Sequence, residues 1–510
     1  MLNFHSSAFL PGMFFILLAI SVLSSLFLLI SKGSLKWISF HIGVISFPPI
    51  AALAGLLLNR RSTHVGPWHF DSLSWLLALF VLTIGAIVQR YSVRYLYGDQ
   101  SYRKYFSFLT LTTAADSLAW LSDDLRLLML CWGATLLGLT FLIGLKQEWY
   151  VARNASVYSG RMFALSWGVL LLAVIWLTQA TGHWQLSQVL TENSLSRLDA
   201  WKRTCINLLL ILAVIIPAAQ WPFHRWLLDS VVAPTPISAV MHAGIVNAGG
   251  ILLTRFSPIL SGDPAQMVLL IISSISVLMG TGIMLVQVDY KRQLVGSTMA
   301  QMGFMLIQCA LGAYGAAVIH AVLHGLFKAT LFLQAGSAVH QKERNKGHQK
   351  SSPLWTIIGG IIGLLTGIGY CLTSPSDGYQ WISAIILGWA VSFAWMRMVA
   401  FGYGLIDRIA GMILLAGFAG VFAMIHTVLF HLLQDTAQSS VQTFSPAVIY
   451  LFIILIAGSV IGTWLFRHRS TAAFAVLYLW LIRLSEPQTD MVESHPKYLT
   501  HSMSQGGNLQ

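Results

Sequence analysis

The chain has 510 residues, of which 56% are hydrophobic and only 9% charged, with a formal net charge of +12. So apolar a composition excludes a water-soluble protein built round one ordinary core, and apolar runs of about 18 to 24 residues recur from end to end, which reads as a polytopic membrane protein. The positive charge does not point to nucleic acid, because the basic residues are spread along short connections and form no compact basic domain.

About 15 spans are expected from these runs. The first, 9–30, is longer than the apolar core of a signal peptide and follows MLNFHSSAF, which has no basic n-region, so it is expected to be retained. Next come 37–58, 69–89, 105–121, 125–145, 162–181 and 204–220, then 235–255, 265–287, 294–313 and 315–338. The last are 354–373, 380–401, 409–432 and 445–466, while 471–483 is short enough to be interfacial, re-entrant or a tilted final helix. Alternate connections carry Lys32 and Lys36; Arg90, Arg94, Arg103 and Lys104; Lys146, Arg153 and Arg161; Lys291 and Arg292; Lys342, Arg344, Lys346 and Lys350; and Arg467 and Arg469. The opposite connections carry chiefly Arg60, Arg61, Arg197, Lys202 and Arg203, beside Asp263, Asp377 and Asp435. The positive-inside rule puts the first group in the cytoplasm.

Polar residues inside the spans are the candidates for function. Asp116, in LTTAADSLAWL, is either an intramembrane acid on an ion path or a helix-end residue close to Asp123 and Asp124 at a membrane surface. Pro217, Pro222, Pro234 and Pro236 crowd the stretch IIPAAQWPFHRWLLDSVVAPTPISAVMHAGIVNAGGILL where two apolar runs meet. Each proline lacks a backbone donor, and a helix interrupted at membrane depth must face protein or water, as beside transporter ion sites. The alternative is an ordinary cytoplasmic loop with Pro234 and Pro236 at a helix start. His242 lies one to two turns beyond Pro236. In VDYKRQLVGSTMAQMGF, Asp289, Lys291 and Arg292 read as a turn, and Ser297, Thr298 and Gln301 open a polar helix start that could line a water path.

The sharpest clash is in AVIHAVLHGLFKATLFLQAGS, where His320, His324 and Lys328 recur at every fourth position of an apolar run. Each such step turns a helix by about 40° and climbs about 6 Å, so the three nitrogens form one winding column. Ionisable groups at that depth are costly and face a bundle interior or a hydrated cavity, which makes an ion or proton path the working hypothesis. Histidine suits a relay because either protonation state is accessible near neutral pH. Cys131, Cys205, Cys309 and Cys371 are isolated within spans, without zinc-site spacing. No P-loop, dinucleotide fingerprint or nucleophile elbow occurs either. No catalytic residue, metal site or cofactor is therefore expected in this chain.

Over about residues 68–340, the segments AQWPFHRWL, PTPISAVMHAGIVNAGGILLTRF, KRQLVGSTMAQMGFM, HAVLHGLFKATLF and LFLQAGSAV resemble, in order and spacing, the proton-conducting antiporter-like family. That family includes the subunit-5-type membrane subunits of respiratory complex I and the large subunits of Mrp sodium/proton antiporters. Within it, the segments are most similar to the DabB-type membrane subunits of two-component inorganic-carbon transporters. The resemblance implies an all-α polytopic fold of about 14–16 transmembrane helices with two inverted five-helix units, each holding a discontinuous helix. These units are allotted as 101–255 and 256–401, between N-terminal helices at 1–100 and C-terminal helices with a polar tail at 402–510. It also implies that His320, His324 and Lys328 match the family's central proton-transfer residues, that Lys291 sits in its DxKR turn, and that His242 is the histidine after its PTP motif. Two positions depart from complex I. Gly133 follows Trp132 where those subunits have a glutamate, and Pro217 stands where they have a lysine; the DabB-type branch also lacks the glutamate. Residues beyond about 345 match poorly, and Arg397 reads as a snorkelling side chain.

The function so implied is that of an ion-conducting, proton-carrying membrane subunit of a complex for uptake of CO2 or bicarbonate, multi-pass in a bacterial inner membrane. It would power a large soluble or peripheral zinc-binding subunit of the DabA type, similar to β-carbonic anhydrases. By the same resemblance, zinc and CO2 hydration would belong to that partner. The rival reading is a proton- or sodium-translocating subunit of a respiratory NADH-quinone oxidoreductase or an Mrp-type complex, against which stand the absent glutamate and lysine and the lack of a long lateral helix. A membrane anchor with a vestigial channel is the third reading.

Overall fold

In hydrocarbon a backbone must satisfy its own hydrogen bonds, so apolar runs of this length fold as helices. The computed structural model describes residues 6–30, 36–58, 62–146, 148–336, 353–373, 380–400, 405–434 and 446–486. Lys32, Arg60, Arg61, Lys342, Arg344, Lys346, Lys350, Asp377 and Asp435 lie outside the described residues, as does the side chain of Arg397.

The chain begins with α1 (Ser6–Ile30), α2 (Lys36–Ile45) and α3 (Phe47–Leu58). A hairpin of β1 (Thr63–Val65) and β2 (Trp68–Phe70) precedes α4 (Ser72–Tyr95), α5 (Tyr102–Leu121), α6 (Leu125–Ile143) and α7 (Tyr150–Thr181). The single turns α8 (Leu186–Val189) and α9 (Glu192–Leu195) lead to α10 (Ala200–Ile215) and the short α11 (Arg225–Asp229). Then follow α12 (Thr235–Ala243), α13 (Ala248–Arg255), α14 (Ser257–Leu260), α15 (Ala265–Val286), α16 (Tyr290–Ala310) and α17 (Tyr314–Leu333). The last helices are α18 (Pro353–Thr373), α19 (Gln380–Trp395), α20 (Leu405–Leu433), α21 (Pro446–Arg467) and α22 (Ala472–Ser485).

Among the described residues, ten helical segments are long and apolar enough to cross a bilayer. Two more, α5 and α16, have 20 and 21 residues but turn polar side chains into the bundle. Apart from the short hairpin, the molecule is thus the helical membrane bundle that its composition predicts. Trp75, Leu77, Ala78 and Val88 of α4 are fully buried, whereas Ile413, Phe418, Val421 and Met424 of α20 face outward, an apolar exterior suited to lipid.

Several boundaries differ from the sequence expectation, each for a local reason. The span expected at 37–58 is two helices meeting at Ser46, where Pro48 and Pro49 take the first turn of α3 and cannot donate to α2. The helix expected at 162–181 starts at Tyr150, because an amphipathic extension carrying Arg153 and Arg161 precedes its apolar part. The span expected to reach 220 stops at Ile215, just before Pro217. The hairpin was not expected; Gly66 opens its two-residue loop at φ +58, a conformation glycine adopts without a side-chain clash. The ambiguous segment near 471–483 is the regular helix α22, anchored by Gln287 Nε2 donating to Ser485 Oγ at 2.5 Å.

Helices α15 and α16 pack closely along their length. A Cβ on Gly280 would lie 2.6 Å from Ala300 N and 2.7 Å from Gly296 O, and one on Gly296 would lie 2.7 Å from Met284 N. Small residues of this kind let membrane helices pack backbone to backbone. At one end of the bundle, Asp71 caps α4 by accepting from Ser74 N at 2.6 Å and takes Arg255 Nη1 and Nη2 at 2.7 and 3.2 Å. Arg255 Nη2 also donates to Ser74 Oγ at 2.6 Å and to Trp120 O at 3.1 Å. The pair therefore locks the ends of α4, α5 and α13 together. Burial would raise the Asp71 carboxyl, but the Arg255 guanidinium and the Ser74 hydrogen bond outweigh it and hold it at about 2.

Two outcomes follow. Gly280→Val meets backbone that cannot move aside, so it should destabilise the bundle by about 1–3 kcal/mol or more, seen as a lower Tm in detergent. Because the Asp71 carboxyl is held below its unfolded value near 4, its contribution is complete above that value and disappears as pH falls through about 2. Over that window the wild type should lose stability on the order of 2 kcal/mol, a component absent from Asp71→Asn, which starts less stable at neutral pH.

Candidate functional site

The span 235–255 is a broken helix, interrupted at Gly244. Pro217 follows the end of α10, Pro222 lies in the turn before α11, Pro234 is the N-cap of α12, and Pro236 sits in its first turn, where a missing N–H costs nothing. Pro217 thus lies in a buried, non-helical stretch, 216–220, that interrupts the chain between α10 and α11, with Pro222 later in the same connection, whereas Pro234 and Pro236 mark the start of α12. The interruption comes at Gly244, with φ −104 and ψ −85, followed by one 3-10 turn over Ile245–Asn247 before α13. The Asn247 backbone N–H bonds to Gly244 O instead of Ala243 O, and the Asn247 side chain repairs the loss by donating from Nδ2 to Ala243 O at 2.5 Å.

That repair fixes the chemistry of α17 beside it. Since Asn247 Nδ2 is engaged, Oδ1 is the atom that faces His324 Nδ1 at 3.2 Å, and an oxygen acceptor there requires the hydrogen on Nδ1. His242 is held the same way. Its Nδ1 lies 3.0 Å from Thr298 Oγ1, whose own hydrogen goes to Leu294 O at 2.9 Å, leaving only a lone pair for the ring. In their uncharged forms both imidazoles therefore carry hydrogen on Nδ1, and both Nε2 lone pairs are buried with no partner among the described residues. His242 stacks on Phe332, ring centroids 4.2 Å apart.

Lys328 completes the seam. It is 1% exposed, and its Nζ donates to Leu294 O at 3.1 Å, the carbonyl that Thr298 also uses. His320 lies further along α17, half-buried, with Nδ1 3.2 Å from Gln308 Oε1 and its ring 6.2 Å from that of His324. The structure thus gathers His242, His324 and Lys328, with His320 at one end, where α12, α13, α16 and α17 meet. Gly325 permits this: a Cβ there would overlap Phe80 and stand 2.8 Å from Ala243 O.

Lys291 is not part of the seam. It lies at the start of α16, whose cap Asp289 accepts from Arg292 N at 3.0 Å, and it lines an open pocket of about 440 Å³ with Tyr95, Asp99, Lys146 and Pro234. Two helices climb from this pocket into the seam: α12 from Pro234 to His242, and α16 from Lys291 to Thr298. Asp116 is in the interior of α5, 7% exposed, and not at a helix end with Asp123 and Asp124. Those two are engaged elsewhere, Asp123 by Ser187 and Asp124 by Arg126. At Gly133 a Cβ would lie 2.8 Å from Trp167 Nε1, so an indole fills the space beside that position.

Sequence reasoning missed Asn247, Gln308 and the Leu294 carbonyl. Gly244 and Asn247 in HAGIVNAGG were the available signal, a glycine and an amide three residues apart just after a histidine. His41, which is also buried, shows what a structural histidine looks like here: Nδ1 pairs with Ser24 Oγ at 2.7 Å and Nε2 with Thr110 Oγ1 at 3.0 Å, so no lone pair is left over.

Residues 122–405 match the family model described as NADH:quinone oxidoreductase/Mrp antiporter, TM, and residues 67–106 match that of the complex I chain 5 N-terminus. A probable inorganic carbon transporter subunit DabB of Bacillus anthracis is 55% identical over 99% of this chain and 99% of its own length. The protein of the same description from Bacillus subtilis is 57% identical over 96% and 98%. The organellar NAD(P)H-quinone oxidoreductase subunit 5 of Paulinella chromatophora is 32% identical over 55% of this chain and 43% of its own. Among solved structures, a chain of the Mrp complex from Dietzia shares the fold at TM-score 0.66 and 22% identity, over 97% of this chain and 60% of that one. With near full-length identity to DabB subunits and a matching model over more than half its length, the chain belongs to the DabB group of the NADH:quinone oxidoreductase/Mrp antiporter membrane-subunit family.

Proposed function

We propose that this chain is the proton-conducting membrane subunit of an inorganic-carbon uptake complex in the cytoplasmic membrane of a bacterium. It works with a large zinc-binding partner of the DabA type, in which CO2 is hydrated. The names of its near full-length relatives support the carbon-uptake part of this reading. One observation supports the proton part: two buried imidazoles, His242 and His324, held in one tautomer with bare Nε2 acceptors beside a buried Lys328.

A proton arriving at Nε2 of His324 makes an imidazolium whose Nδ1 bond to Asn247 becomes charge-assisted, so the ring keeps its orientation while loaded. Release from Nε2 restores the starting tautomer. His242 works identically against Thr298. Lys328, tied to the carbonyl that orients Thr298, couples its own protonation to that geometry. The Lys291 pocket supplies a wide mouth at the end of the bundle from which α12 and α16 rise.

Two variants test this. His324→Ala should abolish carbon-dependent growth and proton flux in reconstituted vesicles while membrane insertion and partner binding persist; normal uptake would sink the relay. Asn247→Ala leaves the Ala243 carbonyl and His324 Nδ1 unpaired, so it should cost about 1–3 kcal/mol of stability and lower flux, with the partner still bound. If the chain serves a quinone oxidoreductase or Mrp assembly instead, neither variant should affect carbon uptake.

A further inference from the structure

Asp116 is the acid among the expected ion-path residues; it is not part of the seam, and it stands on the other side of the break. Its carboxylate is buried in mid α5 and belongs to none of the ion pairs among the described residues. The hydrogen-bonding side chain beside it is the Trp120 indole. Asp116 lines a cavity of about 20 Å³ with the hydroxyl-bearing Thr112, Thr113 and Thr135, and with Gly244 of the break. That is room for about one water, with polar partners to hold it. Its Oδ2 lies 3.9 Å from where a Cβ on Gly244 would be, so the carboxylate faces the interruption itself. Phe80 lines the same cavity and also touches the α17 surface at Gly325, next to His324. A buried carboxylate without a cation, in a cavity sized for water and opening on a broken helix, has no packing purpose that an apolar residue would not serve better.

We propose that Asp116 is a proton-binding station on the path, separated from His324 by the Phe80 ring. This rests on the proton-conducting reading above. When Phe80 moves aside, the carboxyl O–H bond breaks, the water takes the proton and gives it to Nε2 of His324. A carboxylate, an imidazolium and the unchanged water remain, and the carboxylate is reprotonated from its own side of the bundle.

The test uses the full chain with its partner, reconstituted in phosphatidylethanolamine/phosphatidylglycerol vesicles with an entrapped pH dye. Asp116→Asn keeps the shape and the hydrogen bond to Trp120, so a structural role would survive it. Proton flux should nevertheless fall by about a hundredfold, with partner binding intact, while Asp116→Glu retains part of the flux. Wild-type flux in Asp116→Asn overturns the proposal alone if His324→Ala is inactive, and overturns the proton-path reading as well if His324→Ala is also normal. If Asp116→Asn fails to accumulate, dicyclohexylcarbodiimide on the wild type decides. An adduct at Asp116 that forms in step with lost flux supports the station. Flux that persists with Asp116 modified, or is lost with Asp116 unmodified, overturns it.

Discussion

The carbonyl of Leu294 accepts from both Lys328 Nζ and Thr298 Oγ1, and the geometry of the seam depends on that shared acceptor. It uses the only hydrogen of Thr298, which forces His242 to present Nδ1–H and leaves its Nε2 bare. It also draws the long lysine stem into the bundle, where the side chain is almost fully enclosed. Three elements, α12, α16 and α17, are thereby set against one another by a single backbone oxygen. A helical carbonyl has two lone pairs and its intrahelical partner needs one, so here the other is shared between Thr298 of the same helix and Lys328 reaching in from α17.

The break at Gly244 obeys the same constraint. An unpaired carbonyl in a low-dielectric interior is costly, so a helix can be interrupted only if something else donates to Ala243 O. Asn247 does, and in doing so commits its other atom to His324. Repair of the backbone and orientation of the imidazole are one event. The packing agrees with the chemistry, since Gly325 lets α17 lie against the repaired break while Phe80 closes the gap on the far side.

The two ends of the bundle differ in character. At one, Asp71, Arg255, Ser74 and the Trp120 carbonyl form a closed network that fixes α4, α5 and α13. At the other, Lys291, Lys146, Asp99 and Tyr95 surround an open pocket, from which α12 and α16 rise to the seam. The bundle is thus tied closed at one end and carries an open pocket at the other.

The sequence by itself determined the class of structure and the placing of three ionisable side chains along one apolar helix. Span lengths and the scarcity of charge require a helical membrane bundle, because no other backbone arrangement of such runs satisfies its hydrogen bonds in lipid. The four-residue spacing of His320, His324 and Lys328 puts them on one face of one helix whatever surrounds them. Where helices stop was less legible: prolines mark first turns as readily as breaks, so Pro217 and Pro222 fall in the interruption between α10 and α11, Pro234 and Pro236 only start α12, and the second interruption, at Gly244, has no proline to signal it. Only the tertiary structure decided which nitrogen of each imidazole is free, because that depends on atoms dozens of residues away, Asn247 for His324 and Thr298 for His242. It likewise decided that Asp116 faces the break and is not grouped with Asp123 and Asp124. A side chain's depth and neighbours follow from how helices pack, and sequence periodicity carries no information about which helix lies alongside.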